Sequence, residues 1–143
     1  MNMELPLILM ARGAEDAVKA YPGKLNVISV TREQPVSEKM CKNHLQIPID
    51  DLDFENPEHQ ELGAKYKRAA PRDIQNAVDF AKKHKVHIIH CGAGLSRSPA
   101  IAYAIFRSKG LSKDAAMAEV LKRVPPAIPN KWIVKLADQM FGV

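Results

Sequence analysis

The residues best suited to catalysis or ligand binding lie in one short segment, 90–98, which reads His-Cys-Gly-Ala-Gly-Leu-Ser-Arg-Ser. An apolar strand is predicted immediately before it, and Pro99 stands near the first position of a helix predicted immediately after it. In such a strand, loop and helix, the backbone N–H groups of residues 92–97 can point at one spot, and the helix N-terminus adds positive potential there. The segment therefore predicts a binding loop for a phosphate group.

Two side chains of this loop could do chemistry on the bound group. Cys91 lies where the inward N–H groups, the helix dipole and the guanidinium of Arg97 all favour a thiolate, the nucleophilic form of cysteine. The planar fork of Arg97 can hold two nonbridging oxygens of a phosphoryl group at once. This pair predicts attack on phosphorus by Cys91, with Arg97 binding the group and stabilising its charge.

The other loop residues are predicted to support this pair. Gly94 is expected to take a positive φ, which lets the backbone turn tightly around the anion. Ser98 is placed to donate a hydrogen bond to the Cys91 sulfur, and His90 is expected to orient the loop by hydrogen bonding to backbone. The predicted phosphate-binding residues are Gly92, Ala93, Gly94, Leu95, Ser96 and Arg97.

Hydrolysis of a phosphate ester also needs a carboxylic acid near the leaving oxygen. Three candidates, Asp50, Asp51 and Asp53, follow a strand predicted over 45–49. Hydropathy periodicity does not choose between them, and each could equally be a solvated carboxylate in a turn.

The loop resembles the signature of the cysteine-dependent tyrosine and dual-specificity protein phosphatases, with His90, Cys91, Gly94, Arg97 and Ser98 at its fixed positions. The segment Ile-Pro-Ile-Asp-Asp at 47–51 resembles the family's general-acid segment, and Ile-Pro-Asn at 128–130 resembles the Pro-Asn that opens its last helix. The small size is similar to the dual-specificity branch, and the last helix is most similar to small bacterial members. The matched segments span residues 44–142.

The resemblance implies a metal-independent enzyme that hydrolyses phosphotyrosine, and also phosphoserine and phosphothreonine, through a cysteinyl-phosphate intermediate. It implies that the general acid is Asp51, which stands three residues after Pro48, with Asp53 second and Asp50 third. The expected partner is a phosphorylated protein or peptide, and no cofactor is expected. Two alternatives stay open: a non-catalytic phosphate-recognition module, and a sulfur-transfer or arsenate-reductase enzyme built on a similar cysteine loop.

Short apolar runs alternating with helical patterns must position these residues. The alternation predicts an α/β fold in which a mainly parallel central sheet of about four to five strands is flanked by helices, as in phosphotyrosine phosphatases. Ser112 and Asn130 are predicted N-caps of the last two helices. The predicted strands are 5–10, 25–30, 45–49 and 86–90, and the predicted helices are 58–68, one beginning at Pro71, 99–108, 112–123 and 130–141.

Length, composition and charge exclude several classes of protein. The 143 residues, with 46% apolar and 26% charged side chains, fit a single domain over 1–143. Two cysteines do not make a secreted disulfide scaffold, and no apolar run is long enough to span a membrane, so a cytoplasmic protein is expected. The net charge of +5 suits an anionic ligand, while nucleic-acid binding is disfavoured. The histidines lack metal-ligand spacing, so no metal site is expected.

Overall fold

The computed structural model describes residues 5–33, 35–52 and 66–142, and within them four strands form one parallel sheet. The strand order is β1-β4-β2-β3, and every neighbouring pair is parallel. The predicted fold class is therefore confirmed. The strands are β1 (Leu7–Met10), β2 (Asn26–Ser29), β3 (Asn43–Gln46) and β4 (Ile88–Cys91).

Five α-helices lie in the described part of the chain: α1 (Ala11–Ala20), α2 (Pro71–Lys83), α3 (Arg97–Ser108), α4 (Lys113–Arg123) and α5 (Lys131–Phe141). The predicted caps are confirmed, because the Ser112 side chain accepts from the N–H of Ala115 and the Asn130 side chain accepts from that of Ile133. Helix α3 begins at Arg97, two residues earlier than predicted. Most of the predicted helix 58–68 lies outside the described residues, and its described part, 66–68, is not helical.

Helix α1 is an element that the sequence analysis does not predict. It follows β1 without a loop, and its N-cap residue Met10 makes no side-chain capping bond. Only Ala14 and Val18 of its ten residues are buried, so the buried face of this helix consists of two small apolar side chains. A stripe this short gives little periodicity to detect.

The third strand lies earlier in the chain than predicted, at Asn43–Gln46 rather than 45–49. Pro48 has no N–H to donate to a ladder, so pairing cannot continue past it as regular sheet. Ile47 and Ile49 remain buried, which explains why their apolar pattern looks like a strand. The chain after β3 is thus an irregular, buried connection that leads to Asp50 and Asp51.

The central strands are buried on both faces. Val27 and Ile88 pack with Ala14 and Val18 of α1 on one side of the sheet, while Ile28 and other residues pack with the remaining helices on the other. Helix α3 packs against α2, α4 and α5, and its residues 98–107 are all buried. Because the strands are parallel, the polar residues at their carboxyl ends gather at one edge, which also holds the N-terminus of α3.

Candidate active site

The candidate nucleophile lies at the carboxyl edge of the sheet. Cys91 is the last residue of β4 and is 2% exposed. Its sulfur accepts a hydrogen bond from the backbone N–H of Gly94 at 3.3 Å and lies 3.2 Å from the hydroxyl of Ser98, which is also buried. The sulfur therefore lies within hydrogen-bond distance of a backbone amide and of a hydroxyl at once.

Gly94 fixes the path of the loop. Its φ is +77°, and a Cβ on it would lie 2.8 Å from backbone atoms of Leu9 and Met10 at the end of β1. The loop also accepts a hydrogen bond at the carbonyl of Gly92 from the N–H of Ala11, at 3.0 Å. The loop is therefore held against the junction of β1 and α1, and only glycine fits at position 94.

Arg97 is half-buried at the first position of α3, and its guanidinium is anchored by backbone. One nitrogen, Nη1, donates to the carbonyl of Ile49 at 3.0 Å. The other, Nη2, lies against Gly92, close enough that a Cβ there would be 3.4 Å away. The contact with Ile49 orients the planar group over the loop and links it to the segment that carries the candidate acids.

Of the three candidate acids, Asp51 lies against the loop. Its Oδ1 accepts from the Ser96 hydroxyl at 2.7 Å and from Nδ2 of Asn130 at 2.8 Å. The same Asn130 donates to the carbonyl of Leu52 and caps α5, so it ties the Asp51 segment to that helix. These contacts place a carboxylate beside the loop 92–97.

The other two candidates are not brought to the loop by any described contact. Asp50 pairs with Arg32 at 2.6 Å and accepts from the N–H of Lys67 at 2.6 Å. Its carboxylate therefore stabilises the connection after β3 through these two contacts. Asp53 lies outside the described residues.

His90 anchors a chain of hydrogen bonds behind the loop. Its Nδ1 lies 3.3 Å from the carbonyl oxygen of Cys91, and its Nε2 lies 2.6 Å from the hydroxyl of Ser29, which is itself 2.8 Å from Nε2 of His44. Burial lowers the pKa of both His90 and His44, which favours the neutral rings.

The protons in this chain have one consistent arrangement when both rings are neutral. The carbonyl of Cys91 only accepts, so Nδ1 of His90 carries the hydrogen and its Nε2 accepts from Ser29. The Ser29 hydroxyl then accepts from Nε2 of His44. Ser29 and His44 are not among the predicted site residues. The available signal was Ser29, a polar residue between the apolar Ile28 and Val30.

A cleft of about 210 Å³ opens beside Arg97 and Asp51. Leu52 and the half-exposed Tyr66 supply its apolar surface, and its charged lining comprises Arg32, Glu33, Asp50, Asp51 and Arg97. The loop residues Ala93, Leu95 and Ser96 carry no charge, so Arg97 is the cation that the loop itself presents to a ligand. Tyr66 gives the otherwise charged cleft one aromatic surface.

Cys41 lies at the opposite edge of the sheet from Cys91. It precedes β3, whereas Cys91 ends β4, and the register of the strands separates them by six residue levels, or about 20 Å along the strand direction. Burial, together with Glu15 and Glu38, raises the pKa of Cys41 to about 11. Both thiols are free. A bridge between them would require Cα atoms within about 7 Å, which this sheet does not allow.

Among residues 5–33, 35–52 and 66–142, no three His, Cys, Asp or Glu side chains are grouped so that they could hold a metal ion. No helix in the described part of the chain has the length and apolar character needed to cross a bilayer.

The chain is similar in sequence to a known protein family. The model of the family described as "Dual specificity phosphatase, catalytic domain" matches residues 17–139. The dual specificity protein phosphatase Mpk3 of Drosophila melanogaster is 33% identical over 118 residues, which are 80% of this chain and 26% of that protein. The tyrosine-protein phosphatase vhp-1 of Caenorhabditis elegans is 33% identical over 104 residues, 72% of this chain and 14% of that protein. The chain thus spans about a quarter or less of these relatives.

The fold is shared with solved structures at lower identity. The crystal structure of DUSP15 superposes with a TM-score of 0.68 at 21% identity, covering 99% of this chain and 86% of that one. Identity at this level supports the architecture and no more. The two curated relatives are animal proteins, and the predicted likeness to small bacterial members stays a prediction.

Proposed function

This chain belongs to the family of dual specificity phosphatase catalytic domains, and we propose that it is a protein phosphatase that hydrolyses phosphotyrosine, with phosphoserine and phosphothreonine as further substrates, through a cysteinyl-phosphate intermediate. One observation carries the proposal. The sulfur of Cys91 is buried at the end of a strand, within hydrogen-bond distance of the Gly94 amide and the Ser98 hydroxyl, next to a helix that begins at Arg97.

In the first step, the Cys91 thiolate attacks phosphorus in line with the ester bond. The S–P bond forms, the P–O ester bond breaks, and Asp51 gives its proton to the departing oxygen. Arg97 and the loop amides bind the equatorial oxygens, where negative charge is concentrated. The hydrogen bond between Asp51 and Ser96 supports this assignment, because it puts the carboxyl group beside the loop.

In the second step, water displaces the sulfur of Cys91 from phosphorus. The Asp51 carboxylate takes a proton from the water, the oxygen attacks phosphorus, and the S–P bond breaks to regenerate the thiolate. Ser98 donates to the departing sulfur and lowers the energy of that thiolate. The separation of 3.2 Å between the hydroxyl and the sulfur supports this role.

Substrate class and location belong to the same proposal. The cleft with Leu52 and Tyr66 supports an aryl ester such as phosphotyrosine, and the uncharged loop residues argue against inositol polyphosphates and RNA 5′-triphosphates. The proposed nucleophile works only as a reduced thiol, and the cytoplasm keeps thiols reduced, so we propose a cytoplasmic location.

The test is hydrolysis of p-nitrophenyl phosphate and of a phosphotyrosine peptide in the presence of a chelator. The unmodified protein should hydrolyse both, and Cys91→Ser should hydrolyse neither. Turnover that survives Cys91→Ser would overturn the mechanism. Phosphate binding with no turnover of either substrate would indicate a recognition module, and turnover only of thiosulfate or arsenate would indicate the other alternative.

A further inference from the structure

A second concave surface lies outside the candidate active site, between helices α4 and α5 and the connection 124–130. We call it the α4–α5 groove. Its volume is about 720 Å³. Its apolar lining includes Met117, Leu121, Ile128, Pro129 and Val134, and its lysines are Lys113, Lys131 and Lys135.

Two apolar side chains of the groove are open to water. Ile128 is 73% exposed and Leu121 is 37% exposed, and Met117, Pro129 and Val134 beside them are half-buried. A scattered exposed apolar side chain is ordinary, but two in one groove with a half-buried apolar lining are typical of a binding surface. The groove therefore offers apolar area that an incoming side chain could cover.

The groove is joined to the phosphate loop through the backbone. The N–H of Ile128, which lines the groove, donates to the carbonyl of Leu95 at 2.9 Å, and Leu95 is a loop residue that is 42% exposed. Two exposed apolar residues, one of the loop and one of the groove, are thus held next to each other by this bond. A molecule whose phosphate lies in the loop has the groove near it.

The charge of the groove favours an acidic ligand. The described lining includes a single carboxylate, Asp138, which accepts hydrogen bonds from Arg107 at 3.1 Å and from Tyr103 at 2.5 Å. Its charge is therefore already compensated from within the protein. The exposed Lys113 and Lys131 leave the rim positive, so carboxylates outside the groove would meet opposite charge there.

We propose that the α4–α5 groove binds the segment of the substrate protein that flanks the phosphorylated residue, with an apolar side chain in the groove and acidic side chains at its lysines. The inference rests on the proposed phosphatase function and adds a sequence preference to it. An extended chain advances about 3.3 Å per residue, so residues about three to six positions from the phosphorylated one lie about 10–20 Å away from it. This surface would recognise the substrate protein rather than the phosphoryl group.

A peptide series tests the preference. Phosphotyrosine peptides carry Phe-Glu-Glu at successive positions from three to seven residues on either side of the phosphotyrosine, and Ser-Ser-Ser at the same positions in the reference peptides. At least one position should raise kcat/KM by about tenfold, mainly through KM, which corresponds to about 1.4 kcal/mol of binding. Hydrolysis of p-nitrophenyl phosphate reports the active site independently, because that substrate is too small to reach the groove.

Matched variants locate the effect. Leu121→Glu and Lys113→Glu should each abolish most of the gain while p-nitrophenyl phosphate hydrolysis stays within about twofold of the unmodified protein. Tyr21→Glu and Lys24→Glu are the controls, since both positions are exposed and outside the groove, and they should keep the gain.

Three outcomes would overturn the inference. One is normal p-nitrophenyl phosphate hydrolysis with no peptide gaining more than about twofold. Another is a gain that survives both groove variants. A third is a dimer in sedimentation that the groove variants dissociate, because a second copy would then be the occupant. If p-nitrophenyl phosphate and all peptides are inert, the phosphatase proposal itself fails, and the groove loses its assigned ligand with it.

Discussion

At the scale of single residues, removal of the Asp51 carboxylate should slow hydrolysis of esters with poor leaving groups more than hydrolysis of esters with good ones. Asp51→Asn should lower kcat for a phosphoserine peptide by about 10²- to 10³-fold, because an alkoxide leaves poorly without a proton. The loss on p-nitrophenyl phosphate should be much smaller, since p-nitrophenolate is a stable leaving group. Steady-state kinetics on the two substrates measure the difference.

Asp50→Asn is the matched control for this substitution. Asp50 is occupied by Arg32 and the N–H of Lys67, so its loss should change the phosphoserine rate by less than about threefold. Equal losses on both substrates with Asp51→Asn, or a larger loss with Asp50→Asn or Asp53→Asn, would remove Asp51 from the role of acid.

Ser98 should act on the second step more than on the first. Ser98→Ala removes a hydroxyl 3.2 Å from the Cys91 sulfur, and a hydrogen bond to a charged group is worth about 1.5–3 kcal/mol, so breakdown of the intermediate should slow by about tenfold or more. Rapid mixing with p-nitrophenyl phosphate should then reveal a burst of p-nitrophenol equal to the enzyme concentration.

The control for Ser98 is Ser108→Ala, at the other end of the same helix, where the hydroxyl donates to the carbonyl of Ile105. It should show no new burst. If Ser98→Ala slows formation and breakdown equally, the hydroxyl does not assist the departure of the thiolate.

Residues of the loop could be predicted from sequence because their contacts are local. Cys91 meets Gly94 and Ser98 within seven positions of the chain, so a strand and a helix at its two ends suffice to bring them together. Ser29 and His90 are 61 positions apart. Their contact depends on β2 being the neighbour of β4, and no local pattern specifies that order.

At the scale of elements, the loop depends on Gly94 for two reasons, its positive φ and its close approach to β1, and their effects on stability can be measured separately. Gly23 has nearly the same conformation, φ +71° against +77°, but a Cβ there would meet nothing within 4 Å. Gly23→Ala should cost about 1 kcal/mol. Gly94→Ala adds a clash with the backbone of β1 at 2.8 Å and should cost about 2 kcal/mol more.

Urea unfolding measures the stability of both glycine variants, and p-nitrophenyl phosphate hydrolysis measures the loop. Gly94→Ala should lose most activity, because the amide that donates to the Cys91 sulfur must move. Equal destabilisation by the two substitutions, with full activity in both, would show that the loop does not need the close approach to β1.

The elements also show where apolar patterning misleads. Ile47 and Ile49 are buried as a strand would bury them, but Pro48 between them prevents regular pairing. The carbonyl of Ile49 is instead free to accept from Arg97. The irregular connection after β3 is thus what positions both the guanidinium and the Asp51 carboxylate, and alternation of apolar residues does not distinguish it from a strand.

At the scale of the whole molecule, the buried His90 and the half-buried His44 should link stability to pH. Burial lowers the pKa of His90 and His44 below the ordinary value of 6.5, so the unfolded chain binds protons that the folded protein does not. Their contribution to stability is complete above that value and is lost as the pH falls through the lowered values, with a slope of at most about 1.4 kcal/mol per pH unit for each histidine.

Urea unfolding between pH 7.5 and 5 measures this dependence. The free energy of unfolding should fall as the pH falls, and His44→Gln, whose amide can still donate to Ser29, should flatten the curve. A free energy that is constant or rises over this interval would contradict neutral rings at the two positions.

The parallel sheet is the part of the molecule that sequence predicts best. Short apolar strands alternating with helices have few ways to bury both sheet faces, so the class of fold follows from pattern alone. The α4–α5 groove does not, because it exists only where two helices and one connection leave a gap. Surfaces of this kind depend on packing geometry, which a hydropathy pattern does not contain.

The most direct test of the proposed mechanism is capture of the phosphorylated enzyme. The protein is mixed with p-nitrophenyl phosphate, quenched in acid within milliseconds, and digested for mass spectrometry. One phosphoryl group should be added to the peptide containing Cys91, with more of it in Ser98→Ala and none in Cys91→Ser. Steady turnover with no phosphoryl group on Cys91 in any of these samples would contradict it.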